Sequence, residues 1–175
     1  MEKSKLFKDD NIGKHLLFPS FYVAVDMVQK PIDMVRFYTC LKKNNMLGYT
    51  QRDFEQMAKR DKIILESFSF LTFRGALQVF NEISKTKKFR DQLLKSLRKS
   101  ISYYAKIKDI NPKDLKSGWI NVKTGKPAFS PKENLENHVR CTLQEIHSAV
   151  EFLGRDVPED LLDKVESLGI EVSQK

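Results

Sequence analysis

Lysine and arginine side chains are the residues of this sequence whose type and spacing indicate chemistry most clearly. Residues 85–126 contain 13 basic residues and only three acidic ones. Between Lys87 and Lys106, one acid, Asp91, stands against seven bases. Solvated helices usually intersperse glutamate with lysine, because opposite charges three or four residues apart stabilise a helix. The scarcity of acids therefore favours a surface that meets an anion over an ordinary solvated face.

Positive charge is segregated along the chain. The net charge is +8, yet residues 1–60 carry 11 bases and 7 acids, residues 61–130 carry 15 and 6, and residues 131–175 carry 5 and 10. Segregation gives one face a field of its own, which an evenly spread surplus does not. The acidic C-terminal third is also a possible internal partner of the basic segment, and if it covered that segment the two would form an electrostatic clasp.

Periodicity predicts the most regular helix of the chain over residues 89–107. Its apolar stripe, at spacings of four and three, consists of Phe89, Leu93, Leu97, Ile101 and Tyr104. The opposite side carries four lysines within a sector of roughly 40°. These residues, here named the lysine ridge, are Lys88, Lys95, Lys99 and Lys106. Lysines in a line of about 27 Å repel one another unless an anion lies along them.

We predict that this basic surface binds a nucleic acid, RNA or DNA, through the phosphate backbone, since lysine contacts to phosphate tolerate any sequence. Tyr103 lies nearer the ridge than the stripe, where it could stack on a base or bond a phosphate. The candidate binding residues are Lys88, Arg90, Lys95, Arg98, Lys99, Tyr103, Lys106, Lys108, Lys123 and Lys126. The alternative is a protein-interaction module, such as an adaptor, chaperone or inhibitor, whose basic face binds an acidic partner.

The pattern along the chain predicts an all-α fold, mainly helical, with six to seven helices and one small β-hairpin near residues 118–129. Residues 63–84 are apolar on nearly every side, which is typical of a helix surrounded by others. Residues 130–133 combine the serine, proline and glutamate that begin a helix. For Trp119 we favour a partly buried place at the base of the hairpin over a platform on which a base stacks.

A chain of 175 residues can form one domain. We expect a flexible N-terminal segment over residues 1–14, a helical core with the basic helix and hairpin over residues 15–130, and an acidic helical pair over residues 131–175, packed on the same domain. Two distant cysteines and no apolar leader predict a reducing, intracellular compartment, the cytoplasm or the interior of a host cell. Charges interrupt the longest apolar run, so we expect no integral membrane segment.

A simple helix-turn-helix is not favoured, because the helix predicted over residues 63–84 is too apolar to present polar side chains to a groove. If residues 89–107 instead lie in or across a groove, with residues 118–129 as a wing, a winged-helix-like arrangement results. Sequence-specific reading is not expected in either case, since lysines mostly contact phosphates.

Catalytic signatures are sparse, and we expect a protein without catalytic machinery, cofactor or metal. Glycine-rich phosphate loops, His-Glu-x-x-His and paired Cys-x-x-Cys motifs are absent from the sequence. His138 and Cys141 could share a helix face with Glu145, but a structural zinc site needs four ligands. Arg140 and His147 form a pattern that resembles the Arg-x4–6-His signature of the HEPN ribonuclease families. The resemblance implies a minor alternative, in which this pair acts on RNA across a dimer and the histidine aids proton transfer at ribose oxygens.

Overall fold

The computed structural model describes residues 30–60, 69–116, 118–121 and 123–172. They are mostly helical with almost no strand, which confirms the predicted helical fold. The helices are α1 (Pro31–Lys43), α2 (Gln51–Arg60), α3 (Ser69–Ile83), α4 (Lys87–Ile107), α5 (Pro131–Leu153) and α6 (Glu159–Ser167), with 3₁₀ turns at Pro112–Asp114 and Gly154–Asp156. None of the helices in these ranges is long and apolar enough to cross a membrane. The expected flexible segment, residues 1–14, lies outside them.

The chain divides into two compact units whose boundary falls between Leu93 and Leu94, inside α4. The described part of the first unit holds α1 to α3 and the first turns of α4. The second unit holds the rest of α4, then α5 and α6. The division expected at residues 14 and 130 stays a prediction. The second unit contains both the larger part of the basic segment and the acidic C-terminal helices, so it shows how these two are related.

Aromatic side chains form the core of the first unit. Phe54 and Phe73 are fully buried, with ring centroids 5.4 Å apart. Phe37 meets Phe73 edge to face at 6.4 Å, and Tyr38 stacks on Phe80 at 4.6 Å. Pairs of this kind add about 0.5–1.5 kcal/mol each to what burial of their area contributes. The rings therefore hold α1, α2 and α3 together.

Helix α3 does not show the burial on nearly every side that we expected for residues 63–84. Leu71 is 65% exposed, although it belongs to the apolar run. Among the side chains of α3 that the structure describes, the large buried ones follow a single stripe: Phe73, Leu77 and Phe80. The apolar composition of residues 63–84 predicted more burial than α3 has. A single exposed leucine is ordinary on a protein surface, so apolar residues on several sides of a helix do not show that every side is buried. Residues 61–68, where this helix was predicted to begin, lie outside the described residues.

In the second unit, Leu97 and Ile101 of the apolar stripe of α4 are buried, as the spacing predicts, and Tyr104 is half-buried. The fully buried aliphatic side chains here include Leu97, Ile101, Ile146 and Val165. At the edge of the stripe, the hydroxyl of Ser100 donates a 2.7 Å hydrogen bond to Oε2 of Glu145 on α5. Since one face of α4 is packed in this way, its opposite face is turned to solvent.

Helix α5 begins with the predicted cap. Oγ of Ser130 accepts a hydrogen bond from the backbone N–H of Glu133 at 3.3 Å. The Glu133 carboxylate accepts in return from the hydroxyl of Ser130 at 2.7 Å and from its backbone N–H at 2.9 Å. These hydrogen bonds, the hydroxyl's first, lower the pKa of Glu133. The helix ends at Gly154, whose φ of +53° favours glycine.

Replacement of the cap, Ser130→Ala, is expected to lower the free energy of unfolding by about 1 kcal/mol at neutral pH. The lowered pKa of Glu133 means that its contribution is present above the pKa of the unfolded carboxyl and is lost as the pH falls through the folded one. Urea denaturation at neutral and acid pH measures both effects. The difference between the wild type and the variant should shrink on acidification, and a growing difference would contradict the assigned capping box.

The predicted hairpin is present as a turn without strands. Its arms are joined by one isolated antiparallel bridge, between Ile120 and Pro127. Oδ1 of Asn121 accepts a hydrogen bond of 3.0 Å from the backbone N–H of Lys123, which closes the turn. The β-hairpin expected near residues 118–129 is not shown. Between the two arms, the backbone N–H of Asn121 donates to the carbonyl of Lys126 at 2.9 Å and that of Ala128 to the carbonyl of Trp119 at 2.7 Å, which makes a bridge among the described residues and not a ladder. We call residues 118–121 and 123–129 the turn segment.

Both cysteines are free thiols. Burial raises the pKa of the Cys40 thiol, and this outweighs the lowering by the hydrogen bond from Asn44 and by the charges of Lys43 and Arg36. Because the thiolate is the nucleophile, Cys40 is poorly suited to covalent chemistry.

Candidate nucleic-acid interface

All four residues of the lysine ridge are exposed on α4. Lys95, Lys99 and Lys106 belong to the second unit. Among the described residues, none of these three lysines forms an ion pair with a carboxylate. The ridge in this unit is therefore a row of uncompensated positive charges.

An open depression lies along this part of α4. It is lined by Arg98, Lys99, Ser102, Tyr103 and Lys106. Their spacing along one helix brings three cations, two hydroxyls and one aromatic ring to a common surface. Such a surface can contact phosphate oxygens through ammonium, guanidinium and hydroxyl donors.

The acidic C-terminal third does not cover this row. Lys95, Lys99 and Lys106 stay exposed within the unit that contains α5 and α6. The Ser100–Glu145 hydrogen bond joins α4 to α5 through a hydroxyl and uses no lysine of the ridge. The described residues of the second unit therefore form no internal clasp over Lys95, Lys99 and Lys106, and the charge of these lysines remains available to a partner.

The other candidate cations differ in their surroundings. Lys88 and Arg90 are exposed on the part of α4 that belongs to the first unit. Lys108 lies 3.5 Å from a carboxylate oxygen of the well-exposed Asp109, and such a surface pair contributes little. Lys123 and Lys126 are exposed in the turn segment. Four of the predicted binding residues line the depression: Arg98, Lys99, Tyr103 and Lys106.

Tyr103 connects the depression to a group of rings that spacing along the sequence did not reveal. Its hydroxyl is hydrogen-bonded to Nδ1 of His138 on α5 at 3.0 Å. The His138 ring lies against Trp119, with centroids 4.8 Å apart and 36° between the planes. Trp119 in turn meets Phe129 edge to face at 5.8 Å and 89°. We call Tyr103, Trp119, Phe129 and His138 the aromatic cluster.

The backbone at Gly118 fixes the turn segment close to α5. A Cβ atom at Gly118 would lie 3.1 Å from side-chain atoms of Asn134. Glycine therefore lets the backbone come closer to Asn134 than a residue with a side chain could without moving Asn134. Trp119 follows directly and is held between His138 and Phe129. It is nevertheless 44% exposed, so it combines partial burial with an accessible ring.

The residues behind the enzyme and metal alternatives lie on α5. Among the described residues, no group of three His, Cys, Asp or Glu side chains could hold a metal ion. Arg140 is exposed on α5, and its guanidinium donates a 2.9 Å hydrogen bond to Oδ1 of Asn137. His147 is half-buried two turns further along the same helix. The resemblance of this pair to the HEPN signature stays a prediction.

Comparison with known proteins gives no relative of this chain. No family model, no curated protein and no solved structure matches it.

Proposed function

We propose that this protein binds nucleic acid through the phosphate backbone, as a non-catalytic accessory or regulatory protein. The observation that supports the proposal is the exposed row of Lys95, Lys99 and Lys106, with no carboxylate partner among the described residues. Uncompensated like charges on one helix face cost stability. A polyanion laid along the face removes that repulsion and releases its own condensed counterions.

The length of the row suits a nucleic-acid backbone. Lys95 and Lys106 are separated by about 16 Å along the helix axis at 1.5 Å per residue. Duplex DNA carries one charge per about 1.7 Å of its axis, so several phosphates face a row of this length. The row offers ammonium groups rather than the amide side chains that read base edges, so we propose binding that tolerates any sequence.

The free thiols of Cys40 and Cys141 suit a reducing environment. We therefore propose that the protein meets its nucleic acid inside a cell, in the cytoplasm or the interior of a host cell. A thiol titration on protein isolated without reductant checks the state of both cysteines.

A titration of labelled oligonucleotides followed by fluorescence anisotropy tests the proposal. We expect wild-type protein to bind single strands and duplexes of about 20 nucleotides at about 50 mM salt, where phosphate contacts are strong. Polyglutamate serves as the acidic-protein probe. A protein that binds polyglutamate and neither form of nucleic acid would be an interaction module instead, and the proposal would be wrong.

A further inference from the structure

Exposed aromatic surface lies beside the basic depression. Trp119 is 44% and Phe129 42% exposed, although the two rings touch each other. Ile120, between them in the turn segment, is 64% exposed. Trp and Phe can each bury about 150–250 Å². Neighbouring large apolar side chains that stay open to solvent mark a place where a ligand docks.

Neighbouring side chains hold the ring of Trp119 in place. His138 lies against one side of the indole, and the Tyr103 hydroxyl fixes the orientation of His138 through Nδ1. Nε2 of His138 is buried and has no hydrogen-bond partner among the described residues. Both imidazole and indole are thus positioned before any ligand arrives. The indole is 44% exposed, and a ring held in this way loses little conformational entropy when a flat ligand packs on its exposed part.

Tyr103 belongs to both surfaces. It lines the depression with Arg98, Lys99 and Lys106, and it contacts His138, on which Trp119 lies. The cations of α4 and the exposed indole are therefore connected through two contacts, that of Tyr103 with His138 and that of His138 with Trp119. Positive charge that follows a backbone, next to aromatic rings that take the bases, is the combination by which proteins bind single strands.

We propose that the aromatic cluster stacks nucleobases through Trp119 and that the protein therefore prefers single-stranded nucleic acid over a duplex. The inference rests on the proposed function, because α4 must hold the backbone while a base reaches the indole. In a duplex both faces of each base are already stacked inside the helix, so only the backbone contacts remain. Stacking needs only the π-face of a base, so RNA and DNA strands are both bound.

The single tryptophan makes this stack directly observable. Single strands of RNA and of DNA are expected to quench the intrinsic fluorescence of Trp119, with the same concentration dependence as the anisotropy of the labelled strand. A duplex of the same sequence is expected to bind with little quenching. Quenching by only one of the two strand types would assign the site to that strand.

Removal of the indole separates stacking from backbone contact. Trp119→Ala is expected to weaken binding of a single strand about 10-fold or more, and to leave duplex affinity within about 2-fold. Trp119→Phe should retain part of the single-strand preference. Leu71→Ala is the control, because it removes an exposed apolar side chain from α3, outside the aromatic cluster. Its affinities should equal those of the wild type.

The outcomes distinguish the two proposals. Oligonucleotide binding without quenching, or an unchanged single-strand affinity in Trp119→Ala, overturns stacking and leaves backbone binding in place. An equal loss for single strand and duplex in Trp119→Ala also overturns it, because the indole would then support the turn segment only. Wild-type protein that binds no oligonucleotide at low salt overturns the proposed function together with this inference.

Discussion

Lys95→Glu/Lys99→Glu is expected to weaken oligonucleotide binding about 100-fold at about 100 mM salt. Each reversal removes one phosphate contact and places a negative charge against the backbone. Both lysines are exposed on α4, so neither side chain supports the core. The variant should keep the wild-type circular dichroism spectrum and denaturation midpoint. Anisotropy titrations of a single strand and a duplex measure the loss, which should appear with both ligands because both supply phosphates.

Lys42→Glu/Lys59→Glu is the matched control for this variant. It changes the net charge by the same amount at two exposed lysines in the last turns of α1 and α2. We expect its affinity to stay within about 3-fold of the wild type, since neither lysine belongs to the row on α4 that is proposed to contact the backbone. Equal losses in both double variants would mean that affinity follows net charge and that the row on α4 is no site.

Leu97→Ala is expected to lower the free energy of unfolding by about 2–5 kcal/mol. Leu97 is 0% exposed, on the face of α4 opposite the ridge. The variant loses the transfer free energy of the side chain and leaves a cavity that its neighbours fill only partly. Urea denaturation followed by circular dichroism measures the effect.

Lys99→Ala provides the comparison on the same helix, two residues away. Its side chain is exposed and forms no ion pair with a described residue, so a change within about 0.5 kcal/mol is expected. The two variants together test which face of α4 is packed. A mild Leu97→Ala and a severe Lys99→Ala would place the lysines in the core and contradict the interface.

The orientation of α4 could be predicted from the sequence because the spacing of its apolar residues and the positions of its lysines indicate the same buried face. Its apolar stripe recurs at helical spacing and its lysines share the other side, so burial of one implies exposure of the other. The start of α5 could be predicted equally well, since the cap formed by Ser130 and Glu133 uses local hydrogen bonds only. Both features depend on residues within a few positions of each other.

Features that depend on distant residues could not be predicted in the same way. The hydrogen bond between Tyr103 and His138 joins positions 35 residues apart, and no periodic pattern links them. The exposure of Leu71 depends on what packs beside α3, which apolar composition does not reveal. Whether acidic helices cover a basic one is likewise a matter of tertiary packing. Charge counts alone left that question open, and the exposed lysines answer it for the described residues.

The oligonucleotide titration, repeated from about 50 to 200 mM salt, tests the central claim most directly. Arg98 and the three ridge lysines of the second unit could supply about four phosphate contacts, which predicts a slope of log K against log salt near −3.6 for a duplex and near −2.8 for a single strand. Lys95→Glu/Lys99→Glu removes two of these contacts. The slope should therefore become less negative by at least about 1.8 for the duplex and about 1.4 for the single strand. An affinity that does not change with salt, or no binding at the lowest salt, would contradict phosphate binding by α4.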